Sequence, residues 1–181
     1  MQYWKRIEIE NWEVIAAKTL DYIKEYTKLL DRTSYKGPFN SFNTLHYLEK
    51  VPEIQDACKK YGLHYETANV YVMWSNEHSF PHKDYTDSIA RINLPILNCA
   101  GSSTVFYKGL KGRRMVLSTG SPFYLTVDRK NIEQVDVVEI DQPTIIRVSE
   151  GHDVILPENP ILPRISLTIS TAPDVGLLLD D

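Results

Sequence analysis

Residues 79–95 read SFPHKDYTDSIARINLP, and within that stretch His82 and Asp84 pose the chemical question. In an extended segment, residues two apart project to the same face. His82 and Asp84 therefore aim an imidazole and a carboxylate at one point, while Lys83 between them faces away. A second imidazole at that point would give two nitrogens and one carboxylate oxygen on one face of an ion, with the opposite face open. That donor set suits ferrous iron and dioxygen chemistry. The chain has five histidines, at positions 46, 64, 78, 82 and 152, and His82 alone has an aspartate two residues on, while His64 has Glu66 there. The third ligand must come from a distant strand. His152, at the head of GHDVIL near the end of the strand-rich region, fits best, whereas His46, His64 and His78 lack positional support. By itself the His-x-Asp pattern is weak, because Pro81 and Asp84 could equally serve a turn.

Three further features accompany it. Arg164 follows His152 by twelve residues and opens RISLTIS. An arginine held there can grip a carboxylate with two parallel hydrogen bonds. Arg91 and Asn93 are two apart in RINLP and should share a face, with Ile92 and Leu94 on the other. Burying such polar groups is expensive unless they have partners, and a bound anion is one such partner. Tyr71 falls on the polar side of the alternating run before His82, and a rim tyrosine is the plain alternative. Arg91 and Asn93 have plain alternatives too, as an ion-pair partner and a bulge cap.

HKD followed by RINLPI, then a late histidine and PRISLTIS, resembles the Fe(II)- and 2-oxoglutarate-dependent oxygenases over roughly residues 64–171. The ending is similar to the prolyl hydroxylase-like members, and the arginine nine residues after the first histidine to the aspartyl/asparaginyl β-hydroxylase branch. The resemblance implies that His82, Asp84 and His152 hold Fe(II). It implies that Arg164 pairs with the distal carboxylate of 2-oxoglutarate, and that Tyr71, Arg91 and Asn93 contribute to the cosubstrate site. The implied activity is hydroxylation by O2 with release of succinate and CO2, with ascorbate as an accessory reductant. The chain departs from the β-hydroxylase branch by having Asp84 as a carboxylate ligand and Asn93 where that branch has histidine. The subfamily stays open. So does the primary substrate, which is a peptide side chain, an amino acid or small metabolite, or a nucleobase.

These residues need a frame. NWEVIAAKTLDYIKEYTKLLD, residues 11–31, carries apolar residues at helical spacing, with Asn11 as N-cap. A second helix follows in VPEIQDACKKYG, with Pro52 in its first turn and Gly62 at its end. TSYKGPFNSFN between them reads as a loop. After Gly62 come short alternating runs separated by turn residues, the pattern of an all-β sandwich or barrel. The expected fold is mostly β: a double-stranded β-helix, or jelly roll, of cupin-like type with about eight strands and N-terminal supporting helices. The expectation is a single domain, with helical support over 1–62, the β core over 63–171 and a tail over 172–181 that packs as an edge or hangs loose.

The 181 residues carry a net charge of −4 and are 43% hydrophobic. An acidic chain lacks the basic face that grips nucleic acid or an anionic membrane. No apolar run is long enough to span a bilayer, and MQYWKRIEIE has no signal-peptide core, so a cytoplasmic protein is expected. Cys58 and Cys99 are far apart and suit small buried hydrophobes better than a metal site. Lys108, Lys111, Arg113 and Arg114 crowd YKGLKGRRM. A solvated hairpin is the simpler account, and a basic lip that draws in an acidic substrate is the sharper one. Two other functions compete with a 2-oxoglutarate hydroxylase. One is a cupin-type metalloenzyme that uses no 2-oxoglutarate, which would need no arginine at 164. The other is a non-catalytic jelly-roll binding module, in which His82, Asp84 and His152 would lie apart.

Overall fold

The computed structural model describes residues 1–33, 39–42, 44–75, 80–84, 88–116, 122–125 and 131–180. Among them are twelve strands and three α-helices. In chain order they are β1 (Trp4–Arg6), α1 (Trp12–Tyr26), β2 (Phe39–Ser41), α2 (Thr44–Lys50), α3 (Glu53–Lys59), β3 (His64–Met73), β4 (His82–Asp84), β5 (Arg91–Leu97) and β6 (Ser103–Lys108). They continue with β7 (Arg113–Val116), β8 (Pro122–Leu125), β9 (Glu133–Glu139), β10 (Thr144–Ile146), β11 (Gly151–Ile155) and β12 (Arg164–Ala172). The strands form two six-stranded sheets with antiparallel pairing, ordered β1-β10-β5-β12-β3-β2 and β7-β8-β4-β11-β6-β9. From β3 to β6 the chain changes sheet at every strand, and it does so again from β9 to β12.

The helical expectation over 11–31 shortens to Trp12–Tyr26. Asn11 occupies the N-cap position in the left-handed conformation, φ 54°, and its side chain makes no cap hydrogen bond. Its carbonyl instead accepts from the amides of Val14 and Ile15, a use of asparagine's tolerance for that conformation. At the end of α3, Gly62 has φ +70°. The amides of Gly62 and Leu63 donate back to Lys59 and Cys58, a left-handed helix ending that glycine adopts without strain. Three elements lie outside the expected set. Helix α2 was not anticipated, and β1 and β2 extend the first sheet from a region expected to be helix and loop. His78 and parts of the 33–43 loop fall outside the described residues.

The main core lies between the helices and the outer face of the first sheet. Ile15, Tyr22 and Ile23 of α1 and Tyr47, Ile54 and Cys58 of the later helices pack against Val70, Val72, Ile92, Leu94, Ile165 and Leu167. Thr19, buried among them, donates to the Ile15 carbonyl at 2.7 Å and shares a 2.6 Å hydrogen bond with the Tyr47 hydroxyl. Burial pushes the Cys58 thiol up to about 11, which suits an inert core residue. His46 meets the Tyr22 hydroxyl at 3.0 Å, a structural position.

The tail packs rather than hanging loose. A 3₁₀ turn, Val175–Leu179, buries Val175 and Leu179 in the same core. Its cap residue Asp174 accepts from the amides of Ile89 at 2.7 Å, Ala90 at 3.2 Å and Gly176 at 2.7 Å. One carboxylate thus fixes both the tail and the approach to β5, which carries Arg91. Asp174→Ala leaves three amides without their acceptor. Urea denaturation should show a loss of about 1–3 kcal/mol, whereas a free tail would give a shift near zero.

Candidate metal centre

Strand parity decides what faces the space between the sheets. On β3, β5 and β12 the residues Val70, Val72, Ile92, Leu94, Ile165, Leu167 and Ile169 all join the helix-side core. Their alternates therefore face inward. These are Asn69 and Tyr71 on β3, Arg91 and Asn93 on β5, and Arg164, Ser166 and Thr168 on β12. The register ties them together: Ser166 lies opposite Tyr71, and Asn93 lies opposite Thr168 on one side and Thr144 on the other. The inner face of this sheet is thus largely polar.

On the second sheet, β4 pairs with β11 so that His82 lies directly opposite His152. Phe106 of β6 continues the row as the next partner of His152. The two imidazole centroids are 4.4 Å apart. Asp84 shares the face of His82, and alternation sends Lys83 to the other side. One donor atom from each of His82, Asp84 and His152 lies within 4.8 Å of the other two. Asp84 Oδ1 stands 3.7 Å from His82 Nε2. Donors about 2.1 Å from a shared ion sit about 3 Å apart when adjacent, so metal binding requires a contraction of under about 1 Å at that pair.

The tautomers are settled by geometry. His82 Nδ1 is 2.8 Å from the Phe80 carbonyl oxygen, and His152 Nδ1 is 2.9 Å from that of Glu150. A carbonyl oxygen accepts and never donates, so each Nδ1 carries the proton and each neutral ring leaves its Nε2 lone pair for a metal. In both cases the acceptor is the carbonyl two residues earlier, a backbone device that orients the rings without a further side chain.

Arg91 crosses from the first sheet to the second. Its Nη2 lies 3.8 Å from Asp84 Oδ2, so the two carboxylate oxygens are divided between the cation and His82. Arg91 is expected near the cosubstrate, with an ion pair as the alternative, and the structure places it beside the Asp84 carboxylate. Its Nε is buried without a hydrogen-bond partner among the described residues. Asn93 makes a long contact, 3.4 Å, from Nδ2 to the Arg91 carbonyl.

Arg164 is the largest fully buried side chain among the described residues, 2% exposed. Nη1 donates to Ser166 Oγ at 3.0 Å; among the described residues its Nε is buried without a partner and no carboxylate pairs with it. Ser166 was missed by the sequence reading; two positions after an inward arginine on a strand, it was open to a parity argument. A guanidinium taken out of water with a single neutral partner is a strained balance of desolvation against hydrogen bonding, and an anionic ligand would correct it.

No protein-family model and no curated protein matches the chain. Among solved structures, one described as a non-heme monooxygenase, ThoJ–Ni complex, aligns with a TM-score of 0.49 at 14% identity, covering 93% of this chain and 72% of that one. No described helix is long and apolar enough to cross a membrane.

Burial pushes the His152 imidazole down to about 4, assisted by the neighbouring His82 and Arg91 and opposed by Asp84 and the Glu150 carbonyl. An unfolded histidine takes up its proton near 6.5. Between these values the unfolded chain binds the extra proton, so the stability of the metal-free protein falls as pH is lowered through that window. Above about 6.5 the contribution is fully present. Denaturant titrations of the metal-free protein from pH 7 to 4 should show this slope, and His152→Gln should flatten it. Equal slopes in both proteins would contradict the burial account.

Proposed function

We propose that the protein is an Fe(II)- and 2-oxoglutarate-dependent oxygenase that hydroxylates a substrate with O2 and releases succinate and CO2. The observation that carries this reading is the convergence of His82, Asp84 and His152 with both Nε2 lone pairs directed away from their carbonyl partners. Two imidazoles and one carboxylate are the facial donor set of non-haem iron oxygenases. The alternation of β3–β6 and β9–β12 between the sheets supports placing the core among the double-stranded β-helices, or jelly rolls.

Each residue then has a task. The protonated Nδ1 atoms hold the imidazoles in the ligating tautomer. Arg91 lies against the Asp84 oxygen that is not turned to His82 and orients that carboxylate. Arg164, set by Ser166, receives the distal carboxylate of 2-oxoglutarate, with Tyr71 opposite Ser166 as a hydroxyl at the same level. Phe106, fully buried beside His152, excludes water from that flank. When bound, the iron would supply dioxygen activation coupled to oxidation of 2-oxoglutarate. The guanidinium of Arg164, buried with no carboxylate partner among the described residues, favours this reading over a cupin-type enzyme without 2-oxoglutarate, which has no use for a buried cation there. A metal-free binding module would leave the convergence of the three ligands unexplained. Ascorbate as an accessory reductant and a cytoplasmic setting complete the proposal.

The direct test is succinate formation with Fe(II), 2-oxoglutarate and ascorbate in the absence of a primary substrate. Slow uncoupled turnover is expected in the intact protein and none in His82→Ala; no succinate and no iron uptake by the intact protein would sink the reading. Arg164 offers a second test with opposite signs. Arg164→Met should weaken 2-oxoglutarate binding at least about a hundredfold, as expected on losing a buried charge-assisted pair. The same change should leave the ligand-free protein as stable as before, or more so, because an uncompensated buried charge is removed. A large fall in ligand-free stability would mean that Arg164 is a structural residue.

A further inference from the structure

The row that carries the metal ligands does not stop at β4. His82 lies opposite Leu125 of β8, and Leu125 lies opposite Arg113 of β7. The next row of paired positions runs from Asp84 to Phe123 and on to Met115. Directly opposed residues in antiparallel strands share a face. Arg113 and Met115 therefore stand on the face of the metal ligands, two strands away, while Arg114, opposite Tyr124 and in line with Lys83, stands on the other face. Two strand spacings of 4.7–4.9 Å put the Arg113 backbone about 10 Å from that of His82. Arg113 is exposed, and its guanidinium pairs with no carboxylate among the described residues. Met115, 41% exposed, offers an adaptable apolar contact beside it.

We propose that Arg113 is the recognition group for the primary substrate, and that this substrate carries a carboxylate or phosphate. The proposal rests on the reading of His82, Asp84 and His152 as the metal site and adds to it the substrate's chemical class. An exposed guanidinium in line with the ligands, with a thioether next to it in line with Asp84, forms a shelf that is cationic at one position and apolar at the next. A planar fork matches either anion bidentately. The chain as a whole carries a charge of −4 and gives anions no general attraction, so a preference for them has to be local. A cation on an edge strand also discourages sheet-to-sheet association. Arg114 serves that purpose equally well, which makes it the natural control.

The experiment uses the protein loaded with Co(II) and saturated with 2-oxoglutarate under argon, so that no turnover occurs. Matched probes are titrated calorimetrically: N-acetylaspartate amide against N-acetylasparagine amide for a carboxylate, and O-phosphoserine against serine for a phosphate. One anionic probe should bind about tenfold or more tightly than its neutral counterpart, and the pair that responds identifies the anion. Arg113→Gln should abolish that preference and Arg114→Gln should keep it, although both variants change net charge equally. Absence of any anionic preference, or equal losses in the two variants, would overturn the inference. A missing cobalt absorption band in the visible would instead mark failure of the metal site itself.

Discussion

The candidate site depends on one cross-strand pair. His82 and His152 come from distant parts of the chain and meet where β4 lies against β11. Because side chains alternate faces, a slip of one residue in either strand would turn one of these imidazoles out of the sandwich. β4 is three residues long and has little power to hold register alone. It is held from both sides, by β11 and by three consecutive pairs to β8. β11 in turn is fixed by five pairs to β6. The precision of the candidate metal centre is thus borrowed from neighbouring strands, and the two i−2 carbonyl bonds then set the rings.

Stability and chemistry occupy opposite faces of the first sheet. The outer face, under the helices, carries Val, Ile and Leu and forms the main apolar core. The inner face carries Arg91, Asn93, Arg164, Ser166 and Thr168. Burial of the outer face supplies the hydrophobic drive, so the inner face can hold buried cations that on their own oppose folding. This division gives the N-terminal helices and the tail their task. They cover the face that stabilises the sheet, and Asp174 fastens the tail beside the start of β5. Arg91 and Arg164 then become groups whose desolvation a ligand or a ligating carboxylate offsets.

Much of this was legible from alternation. His-x-Asp, the Arg91/Asn93 pair and RISLTIS all state which side chains share a face, and the observed parity agrees at each. The choice of His152 over the other histidines followed from its place near the end of the strand-rich region, and the structure brings His152 to His82. Contacts between sheets were not legible, because no local pattern says which inward residue of one sheet reaches which of the other. Arg91 is the example: its face was readable, its approach to Asp84 was not. Hairpin register was hidden as well. RRM between turn residues leaves open which arginine shares the face of His82, and β7–β8 pairing decides it. Short elements without a strong period, α2, β1 and β2, escaped for the same reason, since their existence depends on tertiary packing rather than local preference.

The most direct measurement is a crystal structure of the protein grown anaerobically with Mn(II) and 2-oxoglutarate, with the metal located by anomalous scattering. The account predicts one strong peak bonded to His82 Nε2, His152 Nε2 and an oxygen of Asp84. It also predicts 2-oxoglutarate on the open side of the metal, with its distal carboxylate against the Arg164 guanidinium. A metal bound elsewhere, a ligand set lacking either histidine, or a cosubstrate carboxylate remote from Arg164 would contradict it.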